Sequence, residues 1–199
     1  MPLAFIDHEA SSLTRRSFPI EVGWVFEDGT GESHLIRPAA GWREWSMASQ
    51  AVHGITQGKL KREGKPPKAV ARRALEALAG CTIVADQPAW DAAWFNMLLE
   101  TAGLPPASMA SLADIELEAC RPLLALLAPE GSPKRIETVN LARNMAAGAI
   151  NGARDAEQRR PRVHHRALPD AESNWRIWVG VRERVAAALL RATPGTAPG

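Results

Sequence analysis

The chain has 199 residues, of which 46% are hydrophobic and 23% are charged. These values are typical of a globular protein with a full hydrophobic core, and they exclude a disordered or fibrous chain. The formal net charge of +2 is too small to indicate nucleic-acid binding by itself, although a local basic surface remains compatible with it. We predict one domain over residues 1–192, followed by a disordered tail rich in proline and glycine at 193–199.

The cysteine content and the hydropathy of the sequence indicate the cellular compartment in which the protein resides. We predict that the two cysteines, Cys81 and Cys120, are small buried residues with reduced thiols. The first residues lead directly into a strand-like stretch without a signal-peptide pattern, and no apolar run approaches the length of a membrane span. The sequence therefore predicts a cytoplasmic protein that does not bind membranes.

The N-terminal part of the chain predicts one strand and then a hairpin. Residues 3–6 form a short apolar run, and residues 19–26 (PIEVGWVF) are rich in β-branched and aromatic side chains. The Asp-Gly dipeptide at 28–29 is a turn signal. Residues 33–37 then complete the hairpin.

The rest of the chain alternates between helical periodicity and short apolar runs. Helices are predicted within 41–58 and at 69–78, 89–101, 115–127, 136–149 and 169–192. Pro122 interrupts one of these helices. Strands are predicted at 82–85 and 112–115, and loops at 59–68 and 152–162. This order predicts an α/β fold with a five-stranded mixed sheet, because hairpin strands pair antiparallel and crossover strands pair parallel.

Two acids follow the first apolar run, in the stretch AFIDHEASSL at residues 4–13. Side chains on a strand alternate, so Asp7 and Glu9 project to one face and His8 projects to the other. Neighbouring carboxylates repel each other unless one takes up a proton or a cation lies between them, and Mg²⁺ prefers such oxygen ligands. The spacing alone leaves two interpretations open: a metal-binding pair, and the solvated polar end of a strand.

Three more candidate residues lie near the ends of predicted elements. Asp91 falls in the first turn of the helix after strand 82–85, where an acid also complements the helix dipole. Functional sites in open α/β sheets gather at the carboxyl ends of strands. Asp170 follows Pro169 at the start of the last helix. His165 lies in the preceding loop, where a histidine is suited to act as a general base at neutral pH.

Together and in this order, these segments resemble the DEDDh (DnaQ-like) 3′–5′ exonucleases, a family that includes the proofreading epsilon subunit, ribonuclease T and oligoribonuclease. The resemblance depends on D-x-E in the first strand, the stretch VADQPAWDAAWFNMLL and the motif H-x-A-x-x-D-A, with HGIT at residues 53–56 in addition. It covers residues 3–181, nearly the whole chain, and implies an RNase H-like fold.

The resemblance also implies a metal-dependent exonuclease. Asp7, Glu9, Asp91 and Asp170 match the metal-binding acids of the family, and His165 matches the histidine that deprotonates the attacking water. The implied cofactor is a pair of Mg²⁺ ions, with Mn²⁺ as a substitute; two such ions about 4 Å apart can bind the attacking and leaving oxygens together. The implied reaction releases nucleoside 5′-monophosphates from the 3′ end of single-stranded DNA or RNA, or from short oligonucleotides.

The chain departs from the family pattern at two places near the expected substrate contacts. Asp86 and Gln87 stand where relatives usually carry His-Asn, so Gln87 keeps an amide while Asp86 adds a negative charge. The stretch ASSL at 10–13 replaces a segment that usually contains threonine. The resemblance still implies substrate contacts from Ser11, from Gln87 and from Leu13, which occupies the position of an apolar wedge against the terminal base.

Basic residues are concentrated in three segments: Arg15 and Arg16; Lys59, Lys61, Arg62, Lys65 and Lys68; and Arg159, Arg160, Arg162 and Arg166. Solvated loops account for most of them, because phosphate binding needs only a few cationic groups. Arg162 and Arg166 adjoin His165 and are the predicted phosphate contacts. His164 has no counterpart in the family and is predicted to be a loop residue.

Two other functions fit the same fold. A catalytically weak nucleic-acid-binding or regulatory module is favoured by Asp86 and opposed by the complete set of acids and histidine. An RNase H-like endonuclease is opposed by the histidine motif. DNA and RNA both remain as substrates, because no motif reports contacts to the 2′-hydroxyl. Relatives are often homodimers, and either an interface or core packing accounts for Trp175 and Trp178.

Overall fold

The computed structural model describes residues 1–161 and 165–192, which divide into two compact units. The first unit comprises Met1–Leu112 and Pro161–Trp175, and the second comprises Ala113–Arg160 and the chain from Arg176 onwards. Each unit has a hydrophobic core of its own. The single domain over 1–192 stays a prediction, and the tail at 193–199 lies outside the described residues.

A five-stranded sheet in the order β3-β2-β1-β4-β5 forms the centre of the first unit. Its strands are β1 (Leu3–Ala10), β2 (Pro19–Phe26), β3 (Gly31–Leu35), β4 (Thr82–Ala85) and β5 (Ala110–Ser111). Strand β1 pairs antiparallel with β2 and parallel with β4, so the predicted α/β class and mixed sheet are confirmed. Strand β1 is longer than the predicted 3–6, because its pairing with β2 continues to Ala10. Both acids of the D-x-E motif therefore lie within the strand.

Four helices of the first unit connect these strands: α1 (Met47–His53), α2 (Gln57–Glu63), α3 (Pro67–Ala77) and α4 (Pro88–Glu100). Helix α1 ends at Gly54, whose φ of 68° suits a residue without a Cβ. The predicted loop at 59–68 is wrong at both ends, because α2 continues to Glu63 and α3 begins at Pro67. The Thr56 side chain caps α2 by accepting the backbone N–H of Lys59, and Leu60 is its one buried residue. One apolar anchor among basic residues is too weak a pattern to reveal a helix.

The two faces of β1 have different neighbours. Ala4 and Ile6 belong to the core cluster that includes residues of α3 and α4, and α4 packs against β1, β2 and β4. The opposite face carries Asp7 and Glu9. Sheet twist and alternation thus give β1 one apolar face and one face that becomes acidic toward its carboxyl end.

The second unit is helical. It contains α5 (Leu112–Ala119), a 3₁₀ helix (Arg121–Leu126), α6 (Arg135–Gln158) and the greater part of α7 (Ala167–Ala192). The predicted strand at 112–115 is wrong, because pairing in the fifth strand ends at Ser111 and a helix begins at Leu112. The predicted interruption at Pro122 is confirmed by the change from α5 to the 3₁₀ helix.

The predicted loop at 152–162 is wrong as far as Gln158, where α6 ends. The polar composition of this segment is misleading, because Glu157 is 5% exposed and accepts hydrogen bonds from Arg176. Buried ion pairs of this kind replace apolar contacts and so escape a hydrophobicity pattern. A second such pair joins Glu116 to Arg154.

The remaining predictions concern the cysteines, two tryptophans, the oligomeric state and membrane-spanning helices. Cys120 is buried and Cys81 is half-buried, and both are free thiols. Trp178 is buried with Arg182 stacked over its ring at 4.5 Å, while the Trp175 indole N–H donates to the Glu27 carbonyl. The homodimer stays a prediction. Among the described helices, none combines the length and hydropathy needed to cross a membrane.

Candidate metal centre

The first-strand acids sit beside β2 in a defined register. Asp7 lies opposite Gly23, and Glu9 lies opposite Glu21. Directly opposed residues of an antiparallel pair share a face of the sheet. This face therefore carries three carboxyl groups and one position without a side chain. The first turn of α7 contacts the same face, since Leu168 adjoins Gly23.

Three carboxylates converge at this place. Oxygen atoms of Asp7, Glu9 and Asp170 all lie within 4.8 Å of one another, and the three side chains are half-buried. Oxygen ligands at such separations match the coordination that hard divalent cations prefer. Sequence positions 7, 9 and 170 are brought together because α7 begins over the β1–β2 face of the sheet.

The electrostatics of the cluster favour a bound cation. Burial raises the pKa of Asp7 well above its ordinary value, and the charges of Asp91, Asp170, Glu9 and Asp86 raise it further. Burial, with Asp170 as the largest charged contributor, raises the pKa of Glu9 from 4.5 to about 8. Like charges in a poorly hydrated place must be neutralised by protons or by a cation. The residues present therefore fit a divalent metal ion.

Asp91 is held differently from the other three acids. It lies in the first turn of α4, is 3% exposed, and is not part of the three-carboxylate group. Its Oδ1 accepts a hydrogen bond from Nδ1 of His8 at 2.9 Å, and the His8 side chain is fully buried. Asp91 is nevertheless close enough to be the largest charged contributor to the raised pKa of Asp7. It approaches the cluster from the α4 side of the sheet.

The segment that contains His165 is anchored to β2. His165 is exposed and has a φ of 58°, the one positive value among the described non-glycine residues. Arg166 donates from Nε to Oε2 of Glu21 at 2.9 Å and from a terminal nitrogen to Oε1 of the same carboxylate. The backbone N–H of Arg166 donates to Oδ2 of Asp170 at 3.2 Å. Arg166 therefore links His165, its neighbour in the chain, to Asp170, its hydrogen-bond partner.

The other predicted substrate contacts have varied surroundings. Leu13 is 75% exposed, and Gln87 is exposed at the start of α4. Ser11 is fully buried, and its hydroxyl accepts the backbone N–H of Phe18 at 3.1 Å. Arg162 and His164, which is predicted to be a loop residue, lie outside the described residues. The substrate roles of Leu13, Gln87, Ser11 and Arg162 stay predictions.

Three polar residues near the cluster were missed by sequence reasoning. His8 was placed on the opposite face of β1 without a role, and Glu21 and His53 were not singled out. A glutamate and a glycine in an otherwise apolar strand (PIEVGWVF) were the available signal for Glu21. His53 accepts the Ile55 N–H at Nδ1, and among the described residues its Nε2 has no partner. Burial lowers the pKa of His53, which is electrostatically coupled to Glu21, Arg166 and His165.

Comparisons with known proteins find likeness in structure but not in sequence. No protein-family model matches the chain. No curated protein matches it by sequence. Among solved structures, a zinc-bound complex of *E. coli* exonuclease I with single-stranded DNA superimposes with a TM-score of 0.64 at 16% identity, over 96% of this chain and 42% of that chain.

Two further exonuclease I structures give similar values. Exonuclease I from Methylocaldum szegediense, described as moderately thermophilic, has a TM-score of 0.62 at 19% identity and covers 92% of this chain and 40% of its own. *E. coli* exonuclease I with a dT13 oligonucleotide has a TM-score of 0.61 at 14% identity, over 96% and 43% of the two chains. This chain thus spans about two-fifths of the length of the exonuclease I chains it matches. It has the RNase H-like α/β fold that is present in exonuclease I.

Proposed function

We propose that this chain is a metal-dependent 3′–5′ exonuclease that acts on single-stranded DNA ends or short oligonucleotides and releases nucleoside 5′-monophosphates. The observation that carries the proposal is the convergence of Asp7, Glu9 and Asp170 within 4.8 Å, with the pKa of Asp7 and of Glu9 raised. Exonuclease I, whose fold the chain shares, is seen with single-stranded oligonucleotides in solved structures.

The four acids would hold two Mg²⁺ ions, with Mn²⁺ as a substitute. Asp7, Glu9 and Asp170 offer one ligand atom each at a common point. Asp91 is adjacent to Asp7, and its Oδ1 is already occupied by His8, which leaves its second oxygen for a metal ion or a bound water. Bound divalent ions would neutralise the phosphodiester and acidify the attacking water.

The chain's own residues would orient the reactants and move the proton. His165 would accept a proton from the attacking water on an imidazole nitrogen, since an imidazole is suited to act as a general base near neutral pH. The water oxygen then bonds to phosphorus while the bond from phosphorus to the 3′-oxygen of the preceding nucleotide breaks. The exposed Leu13 side chain would pack against the terminal base.

A labelled-oligonucleotide assay tests the proposal. Purified protein is incubated with 5′-labelled single-stranded DNA, and separately with RNA, in Mg²⁺, in Mn²⁺ and in excess chelator. We expect a ladder of products that shorten one nucleotide at a time, abolished by chelator. Activity should be lost in Asp7→Asn and retained in Asp155→Asn, a change of an exposed acid on α6.

Two outcomes contradict the proposal. If the protein shortens neither DNA nor RNA, in Mg²⁺ or in Mn²⁺, it is not an exonuclease. A nucleic-acid-binding or regulatory module would then be the remaining interpretation. Cleavage of a circular single strand would show an endonuclease instead. The ratio of rates on DNA and RNA of the same sequence identifies the preferred substrate.

A further inference from the structure

Strand β2 presents a buried carboxylate on the face that carries the metal centre. Glu21 is 2% exposed and lies opposite Glu9 in the pairing register. A buried carboxylate is unfavourable unless it is hydrogen-bonded and its charge is matched. The partners of Glu21 are therefore informative about why an acid occupies this position.

Those partners come from the segment between His165 and α7. Arg166 donates two hydrogen bonds to the Glu21 carboxylate, one from Nε at 2.9 Å, and the backbone N–H of Ala167 donates to Oε2 at 3.1 Å. A guanidinium bound through two nitrogens is fixed in orientation as well as in distance, which a single ammonium contact would not achieve. Three N–H groups from consecutive residues thus converge on one carboxylate of β2.

Gly23, two residues along the same face of β2, supplies the space for this contact. A Cβ at Gly23 would lie 2.5 Å from the backbone nitrogen of Leu168 and 2.7 Å from the carbonyl carbon of Ala167. These atoms are backbone and cannot turn aside. The chain at 167–168 therefore rests directly on β2, held by Glu21 at one point. We call Glu21, Gly23 and Arg166 the β2 anchor.

The anchor lies between the residues that the chemistry would use. His165 adopts a left-handed backbone conformation, which is unfavourable in a residue other than glycine and persists only where neighbouring contacts enforce it. Arg166, bound to Glu21, is the next residue, and its backbone N–H donates to Oδ2 of Asp170. Arg166 thus follows the histidine directly in the chain and is hydrogen-bonded to the acid.

We propose that Glu21 and Arg166 are positioning residues of the metal centre, which hold His165 and Asp170 in place against Asp7 and Glu9. In this role Arg166 does not bind substrate phosphates, which revises the prediction from sequence. The proposal rests on the proposed function for its catalytic consequence. Its structural content, the dependence of metal binding on the Glu21–Arg166 contact, can be tested without turnover.

Metal affinity of four variants provides the main test. Mn²⁺ binding is measured calorimetrically for wild type, Glu21→Gln, Arg166→Gln, the double variant and Arg72→Gln, a matched change of an exposed arginine on α3. Loss of a residue that supports metal ligands typically weakens metal affinity about 10–100-fold. We expect that loss in both single variants and no larger loss in the double variant, because residues that share one contact are not additive. Arg72→Gln should bind Mn²⁺ as wild type does.

Binding of single-stranded DNA in excess chelator separates positioning from phosphate contact. A lysine or arginine that binds phosphate contributes about one unit to the slope of log affinity against log salt. We expect the slope of Arg166→Gln to equal that of wild type. A reduced slope in Arg166→Gln with an unchanged Glu21→Gln would overturn the proposal in favour of a phosphate contact. Under turnover, both variants should lower kcat and leave KM nearly unchanged.

Folding is checked by thermal unfolding, and Arg166→Lys serves as a second variant that keeps the charge without the two-nitrogen contact. An Mn²⁺ affinity in Arg166→Lys between those of wild type and Arg166→Gln supports the anchor. Wild-type Mn²⁺ affinity in every variant would overturn the anchor and leave the proposed nuclease function standing. If the wild-type protein binds Mn²⁺ but degrades no nucleic acid, the proposed function is contradicted. The Mn²⁺ affinities of the variants then still decide whether the β2 anchor supports metal binding.

Discussion

Two buried glutamates of the second unit and Asp7 of the first unit have opposite electrostatic surroundings. In the second unit, Glu116 is 1% exposed and accepts hydrogen bonds from Arg154 at 2.9 and 2.6 Å. Glu157 is paired in the same manner with Arg176. In the first unit, the nearest charges to Asp7 are other carboxylates, and its pKa is raised rather than lowered. Arginines of the protein thus balance the charges of Glu116 and Glu157, whereas the charge of Asp7 must be balanced by a proton or by a bound cation.

The difference separates acids whose charge is matched within the protein from acids whose charge is not. Removal of a guanidinium partner would leave a buried carboxylate uncompensated, whereas a cluster of carboxylates costs free energy until protons or a cation neutralise it. Glu21 shows that both kinds occur within one unit, since it lies beside Glu9 in the sheet yet is matched by Arg166. Pairing with an arginine, and not burial alone, therefore distinguishes Glu21, Glu116 and Glu157 from the candidate ligands.

The largest expected effect comes from comparing Asp7→Asn, a change in the carboxylate cluster, with Glu116→Gln, a change of an acid that is paired with arginine. Asp7→Asn should lower exonuclease activity by more than about 100-fold, beyond the range for residues that only support ligands. Because it removes a repelled carboxylate, it should leave the metal-free melting temperature unchanged or higher. Glu116→Gln should do the reverse: retain activity per folded molecule but lower the free energy of unfolding by about 1–3 kcal/mol. A lower melting temperature in Asp7→Asn would contradict the comparison.

A second change tests Asp91, which lies near the cluster but has a histidine partner. His8→Leu should reduce activity about 10–100-fold, because Asp91 loses the hydrogen bond that fixes it. His8→Asn, which keeps a side-chain donor, should retain more activity than His8→Leu. Steady-state rates and thermal unfolding of the two variants check this. Equal rates in both variants and in wild type would show that the contact has no role in the site.

The close approach of α7 to β2 is tested by replacing Gly23 with alanine, which adds one methyl group. Gly23→Ala should lower the free energy of unfolding by roughly 1–3 kcal/mol, since the new Cβ would overlap backbone atoms of α7. It should also weaken Mn²⁺ binding. Gly148→Ala is the matched control in α6, where a Cβ meets nothing within 4 Å and helix propensity favours alanine by about 1 kcal/mol. Equal effects of the two changes on Mn²⁺ affinity would contradict the close approach.

The smallest effect is a dependence on pH. The pKa of Glu9 is about 8 in the folded metal-free protein and 4.5 ordinarily, so the folded state binds more protons than the unfolded state between these values. The free energy of unfolding should therefore fall as pH rises from 4.5 to about 8, and the fall should be smaller in Glu9→Gln, where the raised pKa of Asp7 still contributes. Mn²⁺ affinity should rise over the same window, because binding releases a proton. Denaturant unfolding at several pH values, with Mn²⁺ and with chelator, measures both.

Much of the fold was predictable from local pattern. Strands β2 and β4 have the predicted bounds, and the last helix lies close to its predicted range, because alternation and helical periodicity depend on residues near one another in the chain. The spacing of D-x-E placed two acids on one face of β1, which the register with β2 confirms. Helix α2 and the end of α6 were missed because their anchors are one leucine and one buried ion pair.

The sequence by itself thus determined the α/β class, the candidate ligands and their order along the chain. Only the tertiary structure decided which partners hold them. Arg166 meets Glu21 across 145 positions, and His8 meets Asp91 across 83. Such pairs leave no periodic trace, because a hydrogen bond between distant residues depends on how strands and helices pack and not on local spacing. The same packing is the basis for proposing that Arg166 positions His165 and Asp170 and does not bind phosphate.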